Sequence, residues 1–440
     1  MNLKEKLITS FLAFEQKVSA ETDNDFNDIR SEAFTHFEKD GFPTRKDEEW
    51  KYTSLKSVLN HNYNIFPESE NTIQFADVKK YFLHEMDSYK IVFIDGIYSS
   101  FLSDTTHDVY DICLLSAALK KPKYKMVIDH YFNTIANKTS SLASLNTAFL
   151  KEGAYINIPK NVVLPRPIQI MYFSTGNEAE IMLQPRNLVI VGENSHVQII
   201  ERHQSLNNNV VLTNSVTEIF AGKRAIIDYY KIQNDQKNAS LIDSTYVKQQ
   251  QQSIASVSTF SFGGKLTRNN LDFYHEGEGI TSNLNGITIV EDKQHVDNHT
   301  LVNHKFPNSE SHELYKGIYF DSSTGVFNGK VIVQKEAQKT NAFQQNDTIL
   351  IDDNASINAK PQLEIFADDV KCSHGCTIGQ LDETALFYLR SRGIPKKEAE
   401  ALLLYAFANN ALAKIKIPEL KNRVTKLIAN KLDVHLGFDL

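Results

Sequence analysis

The stretch Asn187-Leu-Val-Ile-Val191-Gly-Glu-Asn194-Ser-His-Val197-Gln-Ile-Ile-Glu201 decides the fold. Two short runs rich in β-branched residues, Asn187–Val191 and Val197–Glu201, flank a polar corner. Apolar and polar side chains alternate within such runs, which is the period of a strand. The texture recurs at Ala225–Lys231, Ser256–Phe262, Gly286–Val290, Lys330–Gln334 and Thr348–Ile351. Similar corner phrases recur at Asn194-Ser-His-Val, Gly222-Lys-Arg-Ala, Gly277-Glu-Gly-Ile, Ser323-Thr-Gly-Val and Asn354-Ala-Ser-Ile. From Ala154 to about Ile378 hardly a helical pattern interrupts them. That span is too long for an immunoglobulin-type sandwich of roughly 100 residues. Short strands with polar corners stack instead as a parallel β-helix. The spacing of the corner phrases is irregular, so on the residues alone a large sandwich stays open as the less favoured reading.

Outside this core the period changes to that of helices. Leu7, Phe11, Phe14 and Val18 recur at helical spacing, as do Phe26, Ile29, Ala33 and Phe37. Gly41-Phe-Pro43 stops the second helix. Thr44 is placed to cap a third, with Asp47, Glu48 and Glu49 in its first turn and Trp50 following. Ile91–Ile94 reads as a strand turning at Asp95-Gly96, and helical patterns return over Asp111–Lys120 and Lys125–Asn137. At the other end Asp382-Glu383 opens a helix that ends at Gly393. Pro395 starts the next, with Ala399, Leu402, Leu403, Ala406 and Leu412, and Pro418 a third, with Leu420, Val424, Leu427 and Ile428 on one face. The expected organisation is a mainly helical region 1–145, a β-helix core 146–380 and a helical region 381–440. A β-helix has open ends whose unpaired backbone invites association, and helical regions at both ends meet that need.

Length and composition bound the function. With 440 residues, 41% hydrophobic and 23% charged, the chain can bury sizeable cores. A net charge of −7 repels phosphate backbones, so nucleic-acid binding is not expected. Three cysteines, Cys113, Cys372 and Cys376, are too few for a secreted disulfide framework. The N-terminus carries charges of both signs and no apolar run of signal-peptide type. The longest apolar run, Ala401–Ala408, is far short of a membrane span. A cytoplasmic, membrane-free location is the expectation.

Chemistry concentrates in Lys371-Cys372-Ser373-His374-Gly375-Cys376-Thr377. On a strand Cys372 and His374 point the same way and Ser373 opposes them. A thiolate and an imidazole side by side are soft and borderline metal ligands, and the histidine and Lys371 are placed to lower the thiol pKa. Cys376 joins that face unless Gly375 turns the chain. A tetrahedral site needs about four ligands; this segment has two or three, so a metal here is shared with another segment or chain. The plain alternative is a structural thiol and a surface histidine.

Other candidates are weaker. His295 and His299 have the i, i+4 spacing of a helical zinc pair, but Val296 stands where a zincin needs glutamate and the surroundings read as strand. With His304 and His312 they read as solvated or hydrogen-bonded histidines at β-helix corners. Gly325-Val-Phe-Asn-Gly329-Lys330-Val331 lacks the spacing and the hydroxyl of a phosphate loop, so ATP use is assigned to a partner. Gln249–Gln252 reads as a solvated edge.

Longer phrases carry a resemblance. Asp321-Ser-Ser-Thr-Gly-Val-Phe-Asn-Gly-Lys-Val331, Ala337-Gln-Lys-Thr-Asn-Ala-Phe-Gln344 and Lys360-Pro-Gln-Leu-Glu-Ile-Phe-Ala-Asp-Asp-Val-Lys-Cys-Ser-His-Gly375 resemble the SufD branch of the SufB/SufD iron–sulfur cluster assembly family. So do Leu386-Phe-Tyr-Leu-Arg-Ser-Arg-Gly-Ile394, Glu313-Leu-Tyr-Lys-Gly-Ile318 and Asp47-Glu-Glu-Trp-Lys-Tyr-Thr53. The resemblance is strong over Gln294–Ile394 and looser but colinear elsewhere. It implies a right-handed parallel β-helix flanked by helical domains, in a non-catalytic scaffold subunit. It implies pairing with SufB through the β-helix and docking of the SufC ATPase on the helices of 381–440. Cys372 and His374 match family positions near the SufB–SufD interface, where a nascent iron–sulfur cluster shared with SufB is built. A reduced flavin is associated with the family complex, but no flavin motif is visible. The family usually has a small residue where this chain has Cys376. Homodimerisation of the isolated chain is left open. The rival readings are a β-helix polysaccharide lyase, which lacks its usual secretion signal and an evident carboxylate pair here, and a purely structural interaction protein.

Overall fold

Along one corner of the strand region most turns are made by a residue held in the left-handed backbone conformation. Asn194 (φ 58°), Arg224 (56°), Gln252 (59°), Asn308 (59°) and Lys339 (59°) each stand one position before a buried Ser195, Ala225, Ser253, Ser309 or Thr340. The strands His196–Ser205, Ile226–Gln233, Ile254–Ser261, Glu310–Tyr319 and Asn341–Leu350 start directly after them. Asp292 (55°) and Asp321 (52°) take this conformation at the opposite corner, two positions before the buried Gln294 and Ser323. A side chain in this conformation costs about 1–2 kcal/mol, which the continuous ladders on both sides of the corner offset.

The computed structural model describes residues 2–19, 25–67, 73–105, 110–137, 139–176 and 180–433. The chain is mainly β, with a parallel β-solenoid core and helices towards both termini. Successive strands alternate between two sheets, and every pairing between coils is parallel. Thr281 lies beside Glu310, Glu310 beside Asn341, and Asn341 beside Lys371, so a coil takes about thirty residues. The corner phrases fall on two different corners. The first three (from Asn194, Gly222 and Gly277) mark one, and those from Ser323 and Asn354 mark the other. Two interleaved series explain the irregular spacing.

Inward-facing rows fill the lumen: Val189, Ile199, Ile219, Ile227, Val247, Val257, Leu271, Phe273, Leu284, Val302 and Phe327 form one buried cluster. The outward faces are covered by the helices. Leu3–Ser19, Asp25–Asp40 and Ser141–Ala148 bring Leu7, Phe11, Phe14, Phe37 and Leu145 against Leu212, Ile242 and Leu266 of one sheet. The helices Lys396–Leu412 and Pro418–Lys431 lie on the other, packing Leu404, Ala408, Leu420, Val424 and Ile428 against Tyr230, Phe260, Ile287 and Ile318. The helical regions therefore clothe the two faces of the solenoid, contrary to the expectation that they cap its ends. The last coil, Ser356–Ile365 and Lys371–Gly379, is paired on one side only.

Several local expectations change. No α-helix follows Thr44. The Asp47 carboxylate takes the Thr44 main-chain N–H at 2.6 Å, and only the 3-10 turn Glu48–Trp50 follows. Asp111–Leu114 is a strand, antiparallel to Ala154–Ile158, because Ile112 and Cys113 bury at the sheet edge; only Leu115–Leu119 is helical. The next helix is Pro122–Tyr131, and Asn133 (φ 56°) ends that path before 137. In Lys396–Leu412 the buried face runs through Ala401, Leu404, Ala408 and Ala411 and leaves Ala406 outside. The capped helix Glu383–Ser391 is as read, with Asp382 accepting from Thr384 and Ala385 and Gly393 at φ 88°. The side chains of Val18 and Phe26, and residues 434–440, lie outside those described. No helix among the described residues is long and apolar enough to cross a membrane.

Candidate functional site

The strand Lys371–Gly379 runs beside Asn341–Leu350 in unbroken register, so Gly375 does not turn the chain. Cys372 lies over Ala342, His374 over Gln344 and Cys376 over Asn346. Ala342, Gln344 and Asn346 are buried members of the inward row. Cys372 packs half-buried against Val331, Val333, Ala342 and Ala367. The Asn346 side-chain nitrogen lies 3.7 Å from the Cys376 sulfur. All three side chains thus share the lumen face at the open mouth of the solenoid, where no further coil covers them. His374 and Cys376 are exposed.

The electrostatics differ from the sequence expectation. Burial pushes the Cys372 thiol up, while the Ala342 main chain acts the other way. The neighbouring imidazole and Lys371 do not lower it. Cys372 is therefore a protonated thiol in the free chain at neutral pH, and its conversion to a ligand needs a proton acceptor or a metal to displace the proton. Among the described residues no three His, Cys, Asp or Glu side chains converge as a metal site.

One rung deeper is a pair that motif reading missed. Gln344 donates its side-chain N–H to Glu313 at 2.7 Å, both buried. Burial pushes the Glu313 carboxyl up to about 7. Further down the lumen Lys231 donates to Asp243 at 2.7 and 2.6 Å and stands 3.6 Å from Glu201, which also holds His203 at 2.8 Å. The sequence signal for these residues was a charged or amide side chain at an inward position of an alternating strand. It becomes readable only once the strand's parity is known.

The other candidates disperse. His295 and His299 belong to the strand His295–His304 and not to corners. Their side chains meet Thr53, Thr324, Asp297 and Glu49 on the outer face, where the segment around Trp50 is strapped down. His304 is inside, bonded to Ser311, and His312 stacks on Phe343 outside. In the Gly325–Val331 segment the glycines serve packing. A Cβ on Gly325 would meet the Tyr319 ring at 2.4 Å, and one on Gly329 the Gln344 amide at 2.2 Å. Gln249, read as solvated, is buried and accepts from Ser282 at 2.6 Å.

A two-sheet parallel solenoid with helices along both faces and a thiol–imidazole row at one open end places the chain among the helix-clad parallel β-solenoid proteins. The chain matches the SUF system FeS cluster assembly SufBD core domain over residues 173–407 and the SufBD protein N-terminal region over 1–170, and it belongs to this SufBD family of iron–sulfur cluster assembly proteins. Within it the chain is similar to SufD. It is 28% identical over 400 residues to the iron–sulfur cluster assembly protein SufD of Escherichia coli, covering 89% of this chain and 90% of that one. The SufD of Bacillus subtilis is 27% identical over 316 residues, 70% of each chain. A SufBD family protein of Synechocystis is 31% identical over 395 residues, 88% of this chain and 87% of that one.

Proposed function

We propose that the chain is a non-catalytic, cytoplasmic scaffold subunit that pairs with SufB through the open end of its solenoid and docks the SufC ATPase on the helices of 381–440. The reading divides it into a mainly helical 1–145, a β-helix core 146–380 and the docking region. The observation that carries the proposal is the last coil. Its backbone edge is unpaired among the described residues, and its inward row ends in Cys372, His374 and Cys376 with no further strand above them. An unpaired strand edge is a template for another strand, and half a ligand set calls for a second half.

In this reading SufB closes the mouth and brings a thiolate opposite His374. Iron and sulfide, the cargo of the system, assemble between them. Neutral imidazole is a fitting borderline ligand for iron, and a low dielectric around the closed mouth strengthens each contact. Cys372, held protonated by burial, gives up its proton as metal arrives. The helix Glu383–Ser391 buries no side chain and leaves Phe387 73% and Tyr388 57% exposed, a surface for the ATPase. ATP-driven movement of that region opens and closes the mouth. The same free edge is the surface on which the isolated chain would pair with a second copy of itself. No side-chain set is assigned to flavin.

The test is reconstitution of the three-subunit complex with His374→Ala, supplied with ferrous iron and sulfide and followed by cluster absorbance. The expected result is loss of cluster formation with the complex intact. Normal cluster yield overturns the role of His374 and leaves a purely structural subunit.

A further inference from the structure

Gln344 holds an unusual position for an amide. It sits one rung inside the mouth, between Glu313 below and His374 above, in register with both. Its nitrogen is committed, donating to the Glu313 carboxylate at 2.7 Å. That bond sets the orientation of the amide: Glu313 accepts it at Oε2, as either oxygen of an ionised carboxyl does and the carbonyl oxygen of a neutral one does. The side-chain oxygen Oε1 is therefore turned away from Glu313. It is buried from solvent and has no hydrogen-bond partner. The amide cannot swing aside freely, because the main chain at Gly329 closes on it from the other sheet, where a Cβ would come within 2.2 Å of Nε2.

A buried carbonyl without a donor is uncommon and calls for an account. Solvent does not reach it, and Ala342 and Asn346 lie two positions away along its own strand. The side chain directly above on the next strand is His374, one inter-strand spacing of about 4.8 Å away. It is exposed and has no coil above it to hold its ring in one orientation.

We propose that Gln344 is the positioning residue for His374. When a partner covers the mouth, the imidazole donates one ring N–H to Gln344 Oε1, and the lone pair of its other nitrogen faces out of the mouth towards a metal. This rests on the reading of His374 as a ligand. A neutral imidazole binds metal through one nitrogen, and the hydrogen bond made by the other selects which one. Glu313 has an indirect part. It fixes the amide orientation, so an acceptor and not a donor meets the ring.

The experiment uses the assembled complex with histidine-selective 15N labelling, the His374 signals being assigned by their loss in His374→Ala. Gln344→Met keeps the volume and removes the acceptor. The expected result is one ring tautomer for His374 in the parent complex and a mixture in Gln344→Met. Cluster formation from ferrous iron and sulfide should slow about tenfold to a hundredfold, as for other residues that orient a ligand. The exchange Glu313→Gln with Gln344→Glu restores an amide–carboxylate pair with an oxygen under the ring. It should recover the single tautomer and most of the rate, and it decides the matter if Gln344→Met does not fold. An unchanged tautomer and rate in Gln344→Met, with His374→Ala inactive, overturns the positioning role alone. Full activity of His374→Ala overturns the ligand reading and the positioning role with it.

Discussion

The middle of the lumen and its mouth are built on the same ladder yet treat polar groups in opposite ways. In the middle, Lys231 is surrounded by Asp243, Glu201 and Thr245, and Glu201 is bonded in turn by His203 and Tyr229. Every one of these is buried. Burial opposes the Lys231 charge, and the two carboxylates outweigh it, so the ammonium lies above its ordinary pKa. At the mouth, His374 and Cys376 have no coil above them, and Gln344 keeps a bare oxygen. A solenoid can bury charge wherever the rungs on both sides supply complementary groups. At its last rung no further coil among the described residues lies on the outer side to supply them.

The largest effect should come from breaking the middle. Lys231→Met leaves two buried carboxylates without their cation and should cost about 3–5 kcal/mol by denaturant unfolding. Adding Glu201→Gln and Asp243→Asn should recover most of that loss, since a neutral set has no charge to compensate. If the single variant is as stable as the parent, the lumen is wet and the contrast with the mouth fails. The next effect probes the boundary. The Glu313 carboxyl, pushed up to about 7 by burial, binds more protons folded than unfolded between its unfolded pKa and 7. Its contribution is therefore fully present below about 4.5 and is lost as pH rises to 7, on the order of 3 kcal/mol. Glu313→Gln should flatten that part of the stability–pH curve and gain most over the parent at pH 8.

The strand region was legible because alternation and corner chemistry are local. So were the capped helix after Asp382 and the shared face of Cys372 and His374, which needs only a period of two. The lumen network was not. Lys231 and Glu201 sit in runs whose apolar neighbours look the same from either face, and only the register, fixed by contacts about thirty residues away, turns them inward. The segment Asp111–Leu114 was misread for a related reason, since its pairing partner Ala154–Ile158 lies far along the chain. The placing of the terminal helices along the faces depended on outward rows such as Tyr230, Phe260 and Ile287, which no single helix reveals.

Two smaller effects sharpen the comparison at the mouth. The three thiols should label with iodoacetamide in the order Cys376, Cys372, Cys113. Cys376 is exposed, Cys372 is half-buried with its pKa raised, and Cys113 is buried with its thiol pushed up to about 12. Labelling of Cys372 ahead of Cys376 would mean that the mouth differs from the arrangement described. The least effect of all should be that of His374→Ala on the stability of the isolated chain, within about 0.5 kcal/mol, as for exposed residues that hold nothing together. That smallness is the informative part. A histidine kept at a mouth where it supports neither the core nor a neighbour has its use in a contact the isolated chain does not make, whereas a loss of 2 kcal/mol would place it with Lys231 among the groups that hold the solenoid closed.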